Sequence, residues 1–248
     1  MSQPIILISN DDGIDAHGIA ALAKEAEALG EVWVVAPAQE QSGVSGALSL
    51  HSPVRILQRG ERRFAITGTP ADCVYMAIQY VLPERPALCL SGVNHGANLA
   101  DDVLYSGTVA AAIEATISDV PSVAVSLAAY GHGLDYSHAA RVAVEYGQKV
   151  LEKGLPRDTL LNINVPRHGD ASETERRVCK LGRRNYMRQV VEQRDPRGKP
   201  YYWIGGAEID FDDLPGSDCN AIVEGVISVT PLHVDMTRHR FLDELASW

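Results

Sequence analysis

Two adjacent carboxylates, Asp11 and Asp12 in the run Asn10-Asp11-Asp12-Gly13, are the first residues in the chain able to do chemistry. Side by side they repel, and each is driven toward its protonated form unless water or a cation compensates. A divalent cation removes that conflict, so the pair is a candidate metal site; the plain alternative is an Asp-Gly turn. Farther along, Ser91–Thr108 carries Asn94, Asn98, Ser106, Gly107 and Thr108. Its Asn side chains offer neutral oxygens to a hard cation, and its glycines permit close backbone approach. Ser106-Gly107-Thr108 stands where a helix opens, and the free N–H groups and dipole of a helix start favour an anion such as phosphate. A long Asn/Gly-rich turn with a Ser or Thr cap is the plain alternative here, although loops of this length are uncommon unless functional.

The elements that must position these residues follow from hydrophobic pattern. Ile5–Ile8 is apolar without alternation, as in a strand buried on both faces of a parallel sheet, and it sets Asp11 and Asp12 at its carboxyl end, where open α/β sheets bind ligands. His17–Leu29 reads as a helix stopped by Gly30, and Glu31–Ala36 as a second strand joined by a right-handed crossover. The polar loop Ala38–Gly46 then leaves the second strand and, if the two strands are neighbours, brings Ser42 to the same rim. Neither a dinucleotide-binding glycine pattern nor a P-loop is present. Arg63–Thr67 is a weaker strand. Thr69 and Pro70 suit the cap and first residue of a helix to about Leu82, which accounts for them without function. Strands at Ala87–Ser91, Ser122–Leu127 and Thr159–Val165 alternate with helices at Val109–Ile117 and Ser137–Lys153, the signature of a doubly wound sheet. Asn162 and Asn164 share one strand face as core hydrogen-bonders.

The pattern changes after Pro166. Arg176–Lys199 holds nine Lys or Arg against Glu192 and Asp195, and Tyr186–Arg194 and Pro200–Ile204 read as a projecting hairpin turning at Asp195–Gly198. Its Tyr201-Tyr202-Trp203 cluster calls for cover by another chain or by the main domain. A short helix at Ser217–Glu224, a strand at Val226–Thr230 and a C-terminal amphipathic helix at Arg238–Ala246 complete the reading.

Composition bounds the function classes. At 248 residues, 46% hydrophobic and 22% charged, the chain is expected to be one α/β domain over 1–248, with a Rossmann-like core over 1–166 and a hairpin and C-terminal oligomerisation region over 167–248. A net charge of −10 argues against long nucleic acids and anionic membranes. With no basic leader and no apolar run near the ~20 residues of a membrane span, a soluble cytoplasmic chain is expected. Cys73, Cys89, Cys179 and Cys219 form no Cys-x-x-Cys pair, so reduced thiols are expected.

Several ordered motifs together resemble the SurE family of survival proteins. They are Asn10-Asp11-Asp12-Gly13, Ala36-Pro37, Gly68-Thr69-Pro70-Ala71-Asp72-Cys73, Ser91-Gly92-Val93-Asn94 with Gly96 and Asn98, Tyr105-Ser106-Gly107-Thr108-Val109, Leu161–Pro166 and Val229-Thr230-Pro231, and they cover essentially the whole chain. The resemblance implies a Rossmann-like, doubly wound, mostly parallel sheet with a projecting β-hairpin and a C-terminal helical segment. It implies a metal-dependent phosphatase acting on nucleoside 5′- and 3′-monophosphates and on short polyphosphate, assembled as a homodimer or homotetramer. Carried over by motif, the metal ligands are Asp11, Asp12, Ser42 and Asn94. Ala100 and Ala115 stand where Gly is frequent, and His95 where the family varies.

Such an all-oxygen set favours one Mg²⁺ or Mn²⁺ over Zn²⁺, with water activated by the metal for attack and with Asn98 and the Ser106–Thr108 helix start on the remaining phosphate oxygens. Two rival readings stay open: an aspartyl-phosphate mechanism using Asp11 or Asp12, and a nucleotide- or metal-binding protein without turnover.

Overall fold

The computed structural model describes residues 3–167, 175–186, 190–204 and 209–248. Ile5–Ser9 (β1) lies near the middle of a nine-stranded sheet, and its five residues are buried. His17–Ala26 (α1) carries the chain to Glu31–Pro37 (β2), which pairs parallel to β1 as expected. The weaker strand expected at Arg63–Thr67 is Arg63–Ile66 (β4), and it pairs antiparallel with an edge strand that pattern did not predict, Ile56–Gly60 (β3), which is mostly exposed and packs on the core only through Ile56.

Pro70–Met76 (α2) begins at the expected Thr69 cap and runs on as a π-turn through Val81. Leu88–His95 (β5) is longer than the expected Ala87–Ser91, because it continues through an irregularity between Ser91 and Asn94. Asn94 therefore ends a strand instead of sitting in a loop. Gly107–Ile117 (α3), Ser122–Ala128 (β6), Ser137–Lys153 (α4) and Thr159–Pro166 (β7) follow close to their expected places.

The sheet does not stop at residue 166, where the sequence suggested that the core ends. Arg176–Val178 (β8) and Ile227–His233 (β13) complete the order β3-β4-β2-β1-β5-β6-β7-β13-β8, with β4 to β7 mutually parallel and β13 antiparallel to β7. Burial alternates along β1. Ile6 and Ile8 join the core under α1 and α4, while Ile5 and Leu7 join the one under α2 and α3. At about 2 kcal/mol for each fully buried side chain of this size, β1 alone anchors both layers. Strand order runs outward from β1 to β2 on one side and to β5 on the other. That reversal opens the crevice at their carboxyl ends where ligands of such sheets sit.

Outside the sheet lies a two-tier ribbon. Arg184–Tyr186 (β9) pairs with Ile209–Phe211 (β12), and Val190–Arg194 (β10) with Pro200–Ile204 (β11), so the expected hairpin is present with a second rung at its base. Residues 187–189 of the expected strand Tyr186–Arg194 lie outside the described residues. Asp218–Val223 (α5) is the expected short helix. The C-terminal helix is reduced to a 3₁₀ turn at His239–Phe241 and Leu242–Leu245 (α6), with no buried residue in either. All four cysteines are free and buried.

Candidate active site

Asp11 leaves β1 at the crevice and is almost wholly buried. Burial lifts its carboxyl from the usual 3.8 to about 6; a hydrogen bond from the Thr108 hydroxyl opposes the rise and the Asp12 charge adds to it. Thr108 was expected on phosphate, but its hydroxyl donates to Asp11 Oδ1, so its side chain orients the carboxylate instead. Gly107 explains how α3 comes so near. A Cβ there would lie 2.7 Å from Asp11 Cβ and 3.0 Å from Asp11 Oδ2, so any side chain would displace the carboxylate. Ser106 caps the helix by accepting from Val109 N at 3.0 Å.

Asp12 turns toward the end of β5, where its Oδ2 accepts from His95 N at 3.0 Å. Its pKa is also raised, chiefly by burial and then by the nearby Glu40 charge, against the pull of the His95 amide. The His95 ring is held by Tyr136, whose hydroxyl lies 2.8 Å from Nδ1. Asn94 donates its amide to the Gly96 carbonyl at 2.8 Å, which leaves its side-chain oxygen as the group for a ligand. Asn98 is clamped from three directions: its N–H donates to Asn164 Oδ1, and its carbonyl accepts from Asn162 Nδ2 at 2.9 Å and Asn164 Nδ2 at 3.0 Å. Asn162 and Asn164 are thus core hydrogen-bonders as expected, and what they hold is the site loop. The Asn98 side chain donates one amide hydrogen to Ser126 at 2.8 Å. Among the described residues no second acceptor takes the other amide hydrogen.

Ser42 arrives on the loop after β2. That loop is pinned by Gln41 N to the Asp11 carbonyl at 2.8 Å and by Ser45 N to the Tyr105 carbonyl at 3.1 Å. The Ser42 hydroxyl donates to Glu40 at 2.8 Å, leaving its oxygen lone pairs.

Asp11, Ser42, Asn94, Asn98 and Ser106 converge on one cavity of about 620 Å³, while Asp12, Gly107 and Thr108 act from beside it through the contacts above. Pattern reasoning missed several of its walls: Gly43, His95, Ala97, Asp102, Tyr105 and Ile204. Asp102 would repel an anion, but Arg184 from the ribbon base reaches it at 2.6 Å, with both side chains largely buried. Nothing local in the sequence announces that pairing, since the two residues are 82 apart. Burial nonetheless holds the Asp102 carboxyl above its usual range, despite the opposing pull of Arg184.

The residues fit a hard divalent cation. Buried Asp11 and partly buried Asp12 both have raised pKa, no Lys or Arg among the described residues pairs with either, and neutral Asn and Ser oxygens share the cavity that Asp11 lines. Among the described residues no group of three or more His, Cys, Asp or Glu gathers, and the cavity's other oxygen donors are the neutral Ser42, Asn94 and Asn98.

The family model for survival protein SurE matches residues 6–188. The chain belongs to the SurE family. It is 49% identical over 246 residues to the 5′-nucleotidase SurE of Pelobacter propionicus, covering 98% of each chain. It is equally identical over 245 residues to that of Myxococcus xanthus, covering 98% of this chain and 92% of the relative. The crystal structure of the SurE protein from Aquifex aeolicus superposes with a TM-score of 0.87 at 37% identity, covering 98% of this chain and 99% of that one. The fold is accordingly the Rossmann-like α/β arrangement of this family.

Proposed function

We propose that this SurE chain is a 5′-nucleotidase, a phosphatase that hydrolyses nucleoside monophosphates with one divalent cation, Mg²⁺ or Mn²⁺. One observation carries the reading: five hard-oxygen or phosphate-suited side chains, from Asp11, Ser42, Asn94, Asn98 and Ser106, meet in a single cavity at the switch point of the sheet. Asp11, Asp12, Ser42 and Asn94 are the proposed ligands. A cation held by them supplies Lewis acidity, polarising a phosphoryl oxygen and making water a better nucleophile.

The remaining work falls to the chain. Thr108 holds Asp11 in its rotamer, and the His95 amide does the same for Asp12. The second amide hydrogen of Asn98 and the N–H groups at the start of α3 are the groups proposed to hold phosphate oxygens, where charge grows in the transition state. Arg184 neutralises Asp102 in the wall, so the phosphate meets no naked carboxylate there.

A cavity of this size admits a mononucleotide. The proposal extends to 3′-monophosphates and short polyphosphate, whose terminal phosphate presents the same free oxygens. Phosphodiesters and long nucleic acids are outside it, because one cation and one helix start leave no place for a second ester and the net charge of −10 opposes a polyanion. Assembly as a homodimer or homotetramer through the ribbon and C-terminal segment belongs to the same reading, as does a cytoplasmic setting; among the described residues no helix is long and apolar enough to cross a membrane. The test is phosphate release from a panel of nucleoside 5′- and 3′-monophosphates and a bis-(nitrophenyl) diester, with Mg²⁺, Mn²⁺ or chelator. Cation-dependent release from the monoesters alone is expected; equal rates on the diester, or release in excess chelator, refute it.

A further inference from the structure

The segment Gly68-Thr69-Pro70-Ala71-Asp72 reads in sequence as a helix start, and Thr69 and Asp72 do form a capping box for α2. Its outward contacts go further. Asp72 is only 6% exposed, and among the described residues no Lys or Arg comes within ion-pair distance of it. Its carboxylate is occupied by the loop that carries Ser42: Ser49 N donates to Oδ1 at 2.9 Å and the Ser49 hydroxyl donates to Oδ2 at 2.6 Å. Oδ2 also accepts from Thr69 N at 2.9 Å. The Thr69 hydroxyl donates to the Ala47 carbonyl at 2.6 Å, so the two residues of the capping box, Thr69 and Asp72, grip two points of the same loop. A Cβ on Gly68 would come within 2.5 Å of Asp72 Oδ2, so the glycine is what lets the carboxylate fold back to this position.

The opposite side of this segment rests against the other half of the site. A Cβ built on Gly107 meets Asp11 Cβ at 2.7 Å and Pro70 Cγ at 3.0 Å, so Pro70 and Asp11 lie against the same backbone. One short stretch therefore abuts the backbone beside Asp11 with Pro70 and holds the Ser42 loop with Thr69 and Asp72.

We propose that Asp72 is a positioning residue for the cation site, a brace that sets the separation between Ser42 and Asp11 by clamping Ser49 against the start of α2. The proposal rests on the reading of Ser42 and Asp11 as cation ligands. Aspartate is required chemically, because donors from Ser49 and Thr69 approach both oxygens. Asparagine presents a single acceptor and must turn an NH₂ group toward one of them. Partners one step removed from a metal ligand commonly set its affinity by ~10–100-fold.

The experiment is Mn²⁺ titration of the full chain, followed by the electron-spin-resonance signal of free Mn²⁺ and independent of turnover. Asp72→Asn is expected to weaken Mn²⁺ binding by roughly tenfold, and Ser49→Ala, which leaves the α2 cap intact, by a few-fold. In a Ser42→Ala background Asp72→Asn should have less than a twofold further effect, because the brace then has no ligand to place. A merely structural role predicts the full effect in both backgrounds, and that result overturns the proposal. So does a folded Asp72→Asn chain, judged by its metal-free melting curve, that binds Mn²⁺ like the wild type. If Asp72→Asn does not fold, Ser49→Ala decides alone: wild-type affinity overturns the brace and a few-fold loss that vanishes beside Ser42→Ala supports it. Should Ser42→Ala by itself leave Mn²⁺ affinity unchanged, the ligand assignment fails and the brace with it, an outcome distinct from failure of Asp72 alone.

Discussion

Replacing Asp11 by Asn should stabilise the metal-free chain while abolishing its activity, and the stabilisation should depend on pH in a calculable way. The Asp11 carboxyl is lifted to about 6 from 3.8, mainly by burial. Below about pH 4 the folded and unfolded chains both hold the proton, so the buried group costs nothing. Between 3.8 and 6 the unfolded chain has released the proton and the folded chain keeps it, so stability falls as pH rises. Above about 6 the folded chain carries the buried charge at its full cost, roughly 3 kcal/mol for a difference of this size.

Asn can still accept from Thr108, so little of that gain is returned. Urea unfolding in chelator should therefore find Asp11→Asn more stable than wild type by roughly 2–3 kcal/mol at pH 7.5, with most of the difference gone by pH 4. Adding Mn²⁺ at pH 7.5 should reverse the order, since wild type gains binding energy that the variant lacks. Turnover of the variant should drop about a hundredfold or more. A stability difference that stays constant from pH 4 to 7.5 would show that Asp11 is not the buried, uncompensated carboxylate described above.

Three further outcomes are expected. Gly107→Ala introduces a Cβ within 3.0 Å of Asp11 Cβ and Oδ2, and should weaken Mn²⁺ binding measured by calorimetry while the metal-free circular dichroism stays native; unaltered affinity counts against the close approach of α3. Arg184→Met takes the guanidinium away from Asp102 and should destabilise the chain by about 2 kcal/mol in urea, less than the ~3–5 of a fully enclosed pair because Asp102 borders an open cavity. Deleting Val190–Ile204 removes the exposed Tyr201, Tyr202 and Trp203, and should lower the mass found by sedimentation with the sheet intact; an unchanged mass refutes a role of the outer ribbon in assembly.

Much of the frame was legible because buried parallel strands advertise themselves. Ile5–Ile8 and Val32–Ala36 are apolar without alternation, Val123–Leu127 is apolar except for Ser126, and the helices between such strands end at Gly or begin at a Ser or Thr cap. The misses share a cause as well. β3 is a mostly exposed edge strand with one core contact, Ile56, and it is held chiefly by the backbone of β4, a partner that pattern cannot see. β5 outran its apolar run because pairing with β6 carries the strand past Gly92 and Val93 to Asn94 and His95.

By residue type alone, the sequence determined that a hard-cation and phosphate site was available: Asp11-Asp12, two asparagines with oxygen donors, and a glycine-serine helix start are local chemistry, readable wherever they fold. What it could not determine was which of those groups face the ligand and which face one another. Thr108 reads as a phosphate donor until α3 packs on β1 and its hydroxyl meets Asp11. Asn162 and Asn164 acquire their purpose from Asn98, more than sixty residues away. Asp72 reads as a helix cap until the Ser42 loop closes on it. Arg184 is one of nine cations in a basic run until the ribbon base carries it to Asp102. Each of these roles is a contact between distant parts of the chain, and its energy exists only once the sheet has brought those parts within hydrogen-bonding reach.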